Sequence, residues 1–265
     1  MKATLLVSAL VAVLMPFAAA QDNDRLPQAS LDREIHLPVP ARAAVSGNLP
    51  HPTLTPPSYC KPCLFYAGDF DGLASDANGL ANEVDIIVST GAAVYTPFIV
   101  PKGKIWIVSG LFTSNIFLDP DGTIDPTILP YEVRRNIPKA GGNGGKLVCH
   151  GRKPATVVYQ HIDWCNDFAY CFATIVNRIK GCVLPAGKYW MSVVPYCTNK
   201  KDHACTDRYR AFLANDDGAM AHRYGPMEPA NDSFFNSEFY GAVWQPSTEQ
   251  QTSKRFSVGV EGTAK

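Results

Sequence analysis

Four groups of residues are of types that carry chemistry. Cys60-Lys61-Pro62-Cys63 has the spacing of a thioredoxin-like redox pair. Such a thiol is activated where a helix begins just after a strand, because the helix N-terminus favours the thiolate. Here the motif follows a Pro-rich stretch and precedes Leu64-Phe65-Tyr66, a strand-like run. The pair therefore reads as a structural disulfide. A zinc site would need a second thiol or imidazole pair at similar spacing, and none is evident.

The second group is acidic. Asp69-Phe70-Asp71-Gly72 with Asp76 and Asn78, Asp119-Pro120-Asp121-Gly122 with Asp125, and Asn215-Asp216-Asp217 gather hard oxygen ligands near turns. Calcium takes about six to eight such oxygens. No cluster completes a twelve-residue calcium loop; the closing Glu that should follow Asp119 is replaced by Pro130. Asp, Asn and Gly also make ordinary turns. The first cluster is the richest, so Asp69, Asp71 and Asp76 are the candidate ligands for a structural calcium ion.

A third group is His161-Ile162-Asp163, which sets an imidazole and a carboxylate on one strand face. The serines lack a G-x-S-x-G elbow, and there is no H-E-x-x-H. The glycines at 141–145 are followed by no Lys-Ser/Thr, so they form no phosphate cradle. The fourth group is aromatic: Trp164, Tyr170, Tyr224, Phe234, Phe235, Tyr240 and Trp244. Exposed rings stack on sugars, and buried rings make core. The stretch 219–238 is long, polar and loop-like, with His222, Arg223, Tyr224 and two adjacent Phe. Long loops in compact domains are often functional. Trp164, Tyr224, Phe234 and Phe235 are accordingly the candidate ligand-binding residues, on a solvent-facing patch.

These groups need a frame. Strand signals recur from Tyr59 onward, at 83–88, 92–100, 104–113, 155–162, 187–197, 208–214, 239–244 and 255–261. In the last, Phe256, Val258 and Val260 alternate with Ser257, Gly259 and Glu261, which predicts one buried face and one wet face. Turn chemistry separates the runs at Pro101-Lys102-Gly103, Asp119 to Gly122, Gly141 to Gly145, Pro185-Ala186-Gly187 and Asn215 to Gly218. Residues 168–180 fit both helical and strand spacing, and their aromatic and β-branched content favours a strand. Many short strands, with no helix alternating between them, predict an all-β domain, a β-sandwich or jelly roll, over residues 59–265.

The N-terminus sets the expected compartment. Lys2, the apolar run Ala3 to Leu14, Pro16 and Ala18-Ala19-Ala20 lay out a secretory signal peptide over residues 1–20, cut after Ala20. The apolar run is too short for a retained span, which needs about 20 residues. Residues 21–58 carry seven prolines and read as a flexible linker, a spacer or a strap lying on the domain. Eight cysteines, Cys60, Cys63, Cys149, Cys165, Cys171, Cys182, Cys197 and Cys205, fit an oxidising, extracellular or periplasmic setting. Cys165–Cys171 and Cys197–Cys205 would each close a short polar loop. The net charge of +0 gives no footprint for nucleic acid, and nothing predicts membrane insertion after signal cleavage.

Two stretches, Ala93 to Trp106 and Leu184 to Val193, taken with the closing run Phe256 to Thr263, resemble a large set of secreted bacterial β-sandwich domains of the acidobacterial kind. These carry an F-x-V-P-x-G-x-x-W strand–turn–strand and an L-P-x-G-x-Y-W hairpin. The resemblance implies a secreted sandwich with Trp106, Tyr189 and Trp190 in or between its sheets. It implies no common activity and no catalytic residue. The function expected from these features is a non-catalytic extracellular module that meets surface or matrix components. The alternatives are a carbohydrate-binding module with polysaccharide as partner, and a secreted hydrolase.

Overall fold

A computed structural model describes residues 33–35, 55–70, 78–85, 90–118, 128–138, 142–161, 170–197, 201, 205–206, 208–216, 222–226, 233–249 and 255–265. The signal-peptide segment, Asp71, Asp76, Asp119, Asp121, Asp125, Asp163, Trp164, Cys165 and Asp217 lie outside them. Among the described residues there are twelve strands, one short 3-10 turn at Ser247–Glu249 and no α-helix. The domain is all-β, antiparallel and sandwich-like.

The strands are β1 (Glu34–Ile35), β2 (Cys63–Tyr66), β3 (Gly79–Ala81), β4 (Glu83–Asp85), β5 (Thr90–Leu118) and β6 (Ile128–Arg135). They continue with β7 (Lys146–His161), β8 (Tyr170–Val193), β9 (Arg210–Ala214), β10 (Phe234–Ser237), β11 (Ala242–Pro246) and β12 (Val258–Ala264). Their main path is β1-β3-β9-β5-β8-β6-β7. β12 pairs on one side with β2 and on the other with β5. β4 and β10 pair with the start of β5, and β11 with β10.

A long two-stranded ribbon organises the rest. β5 and β8 stay paired from Thr96↔Met191 to Leu118↔Tyr170. Two expected turns are therefore not reversals. Pro101-Lys102-Gly103 lies inside β5, where the register steps from Val100↔Gly187 to Ile105↔Pro185. The extra residues bulge out, and Gly103 takes the positive φ of 77° that a side chain resists. The expected hairpin at Leu184 to Trp190 is likewise continuous strand. A second bulge falls on β8 between Arg178 and Cys182, with Gly181 at φ 78°. Each bulge leaves extra residues on one strand of the ribbon without a partner on the other.

Burial on two faces decides several local outcomes. Residues 171–177 are buried without a break, because β8 lies between β5 and β7 here and is covered on both sides. From Tyr170 onward, the segment that fitted two periods is thus strand. The closing strand differs from its expectation: it has no wet face. Ser257, Gly259 and Glu261 are as buried as Phe256, Val258 and Val260. Ser257 Oγ donates to the Gly68 carbonyl at 2.7 Å. Glu261 meets the Arg178 guanidinium and accepts the Lys61 backbone N–H at 3.2 Å. Partners inside the protein replace the water that alternation implied.

At the centre, Phe98 of β5 stacks on Trp106, Tyr189 and Phe65, with ring centroids 6.0, 5.8 and 6.1 Å away. A satellite cluster joins Tyr95, Ile137, Trp190, Phe234 and Trp244, capped by Arg134 at 4.7 Å from the Trp244 ring. Trp106, Tyr189 and Trp190 are all buried, as read from the sequence.

Among the described residues, three disulfides clamp this frame. Cys197–Cys205 closes its loop as expected, and Cys60–Cys63 is a structural bridge at the entry to β2. Cys149–Cys182 ties β7 to β8. Cys171 is buried on β8. Three disulfides fit an oxidising compartment, and no described helix is long and apolar enough to cross a membrane. From the expected linker, Glu34–Ile35 pairs with β3 and buries Ile35, so this part is a strap on the domain.

Candidate functional site

The chain leaves β2 at Tyr66 and reaches Asp69 three residues later. The segment 222–226 lies back against β2 through a reciprocal pair of backbone bonds between Tyr66 and Tyr224. That crossing brings Asp69 to His222, although they stand 153 positions apart. Asp69 Oδ2 accepts from the His222 backbone N–H at 3.1 Å and faces Nδ1 of the ring at 2.7 Å. A carboxylate only accepts, so Nδ1 carries the proton in this contact. Tyr66 donates its hydroxyl to Asp69 Oδ1 at 2.8 Å. The Tyr59 hydroxyl, 2.9 Å from that of Tyr66, donates in turn. One polar relay therefore runs Tyr59, Tyr66, Asp69, His222.

Aromatic rings close the relay into a circuit. Tyr159 of β7 stacks on Tyr59 at 6.1 Å with 27° between planes. Its edge meets Phe172 of β8 at 6.2 Å. Phe172 stacks on Phe70 at 5.0 Å, and Phe70 follows Asp69 directly in the chain. The rim faces solvent: Tyr159 is 44% exposed, Tyr224 37%, and the His222 side chain 40%. Below it, Ser114, Thr174 and Ser257 link hydroxyls at 2.9 Å, a buried polar floor that holds the strands in register.

Electrostatics keep the phenols neutral. Burial pushes the Tyr59 phenol up to about 12, and the Asp69 charge adds to the rise. Burial raises the Tyr66 phenol as well, with Tyr59 and Asp69 adding to it. Both hold their protons more tightly folded than unfolded. The stability this represents is intact below about pH 10, where an unfolded phenol ionises, and is lost as pH climbs through the folded values. From neutral pH, urea midpoints should stay level up to about pH 10 and fall beyond it, with a shallower fall in Tyr59→Phe. An unchanged midpoint in strong alkali would contradict the burial of these phenols.

The expected site residues divide. Tyr224 and Asp69 fall at this rim, and Asp69 comes from the acidic cluster while His222 comes from the long loop. Phe234 and Phe235 do not: both are buried, Phe234 in the satellite cluster and Phe235 stacked on Tyr240. They belong to β10, which pairs with β5, so the last part of the expected loop 219–238 is strand and no patch forms from them. Trp164 lies outside the described residues, as do Asp71 and Asp76. Asp69 meets protein donors on both oxygens. Trp244 is buried, and Tyr240 accepts from Arg210 at 2.7 Å. His161 ends β7, while Asp163 is not described.

Tyr59, Tyr66 and Tyr159 were not singled out from the sequence. Their spacing carries no signal, because contacts between β2, β7 and the segment before β2 assemble them. Among the described residues, one further group gathers potential metal ligands, Glu83 with Cys197 and Cys205. Its sulfurs are bonded to each other, and Glu83 holds Arg210 in a two-pronged ion pair at 2.7 and 3.1 Å. Compared with known proteins, the chain matches no family model and no curated sequence.

Proposed function

We propose that the chain is a secreted, non-catalytic module that binds carbohydrate at the Tyr59–Tyr159–His222 rim. The observation that carries this reading is the closed circuit of rings and hydrogen-bonding groups. Sugars offer both an apolar ring face and a ring of hydroxyls. A half-exposed tyrosine held by stacking takes the first at little entropic cost, and a fixed imidazole takes the second. Within the described residues the rim has no nucleophile beside His222, which favours binding over turnover. Polysaccharide or glycan-bearing surfaces are then the partners, in keeping with an extracellular setting.

The test is a glycan panel probed with the folded chain and with Tyr159→Ala. Loss of the stacking ring should weaken binding about tenfold, equivalent to about 1.4 kcal/mol. Thermal stability should change little, because Tyr159 is partly exposed. Absence of binding across neutral and acidic plant and microbial polysaccharides would overturn the proposal, as would binding that Tyr159→Ala leaves intact.

A further inference from the structure

Tyr159 reaches the rim because β7 carries an extra residue. Val157 pairs with Ile175 of β8, and Thr174, the next residue along β8, pairs with Tyr159, so Val158 bulges out. In a regular strand Tyr159 would share the face of Ala155 and Val157, which pack against the core. The bulge reverses that alternation. Directly paired side chains lie on one face of a sheet, which sets Thr156 with Val176 and Tyr159 with Thr174. Val176 and Thr174 stand two apart on β8 and share a face. Tyr159 therefore falls in line with Thr156, and beyond it with Pro154, Arg152 and His150. All five are exposed. β6 borders the far half of this line with Ile128, Pro130 and Glu132, the partners of Pro154, Arg152 and His150.

We infer that this line continues the rim into an extended site for an acidic polysaccharide, which stacks one ring on Tyr159 and sets a carboxylate on Arg152 several rings further along. This rests on the carbohydrate reading and adds to it the class of sugar and the length of chain.

The charges along the line favour that ligand. Its two acidic neighbours are engaged by the protein: Glu132 accepts from Tyr95 and Arg134, and Asp69 from Tyr66 and His222. Arg152 has no ion-pair partner among the described residues. Its planar fork is open to a carboxylate, which it can meet with two parallel charge-assisted bonds. At about 3.4 Å per residue, the strand carries Arg152 roughly 20 Å from Tyr159. A short sugar on Tyr159 stops well before that charge, whereas a longer chain passes the Thr156 hydroxyl and the Pro154 ring and reaches it. Lys153 is an internal control supplied by the fold. It is equally exposed and one residue away, but it pairs with the buried Leu129 and so belongs to the opposite face.

The experiment uses the folded chain with dimers and octamers of galacturonate, mannuronate and glucuronate, each beside its methyl ester, which keeps the chain and removes the charge. Titration calorimetry should show at least one acidic octamer bound about tenfold more tightly than its ester and than its own dimer. Arg152→Gln should bring that octamer down to its ester and flatten its salt dependence, while leaving dimers and esters unchanged. Lys153→Gln should bind as the wild type does, and Tyr159→Ala should weaken every probe. Acidic octamers held no better than their esters or dimers overturn this inference and leave the carbohydrate reading standing. So does an Arg152→Gln variant that binds like the wild type, or a Lys153→Gln variant that loses as much as Arg152→Gln. Failure of every oligomer and ester to bind overturns both.

Discussion

Glu83→Ala should destabilise the domain by about 3–5 kcal/mol, the cost of stranding a buried charge. Glu83 and Arg210 are both almost fully buried, and the guanidinium reaches the carboxylate through Nε and Nη2. Glu83 also accepts the Ala211 backbone N–H at 2.8 Å, so one side chain fixes β4 against β9. Burial works against the Arg210 charge, but Glu83 and then Tyr240 outweigh it and hold the guanidinium above its ordinary range. Remove Glu83, and that compensation goes while the burial stays. The double variant Glu83→Leu/Arg210→Met removes both charges and should lose far less than the two single variants summed. Urea unfolding of the wild type, Glu83→Leu, Arg210→Met and the double variant measures the cycle. Additive losses would mean that the pair does not act as a unit.

Phe98→Ala should cost a similar amount, about 3–5 kcal/mol. The ring is fully buried and touches aromatic partners on β2, β5 and β8. Truncation leaves a void walled by Phe65, Trp106 and Tyr189, three rigid rings that collapse poorly into it. Phe98→Leu keeps most of the volume and should lose less than half as much. The urea midpoint and the near-ultraviolet dichroism of Trp106 report the result. A loss under about 1 kcal/mol for Phe98→Ala would show that the centre relaxes around the gap.

What the sequence reveals here follows the environment of each strand. Turn residues and β-branched runs suffice to indicate an all-β domain. Strand limits are harder. Pro101-Lys102-Gly103 looks like a stop because the local chain cannot report that β8 continues to pair across the bulge. The strand with the cleanest alternation, β6, escapes notice: Leu129, Tyr131 and Val133 point inward while Pro130, Glu132 and Arg134 sit nearer solvent. Its proline and three charges imitate a loop. Conversely, Ser257 and Glu261 imitate a wet face and are buried against partners far away in the chain. The site shows the same limit. Asp69 and His222 attract attention separately, and only the crossing of 222–226 over β2 unites them. Phe234 and Phe235 look like a platform because two adjacent rings cannot both face one layer of a single strand, yet β10 is covered on both sides.

The position of β12 has a consequence for how the protein comes into being. This strand lies between β2 and β5, near the middle of the assembly, yet it comes after every other described strand in the chain. Until residues 258–264 arrive, β2 has no neighbour along that edge and β5 carries unpaired amides from Trp106 to Thr113. Closure is therefore a late event, delayed by loops of great length. A premature stop before residue 258 would leave that opening permanent, with bare ribbon edges that invite association between chains.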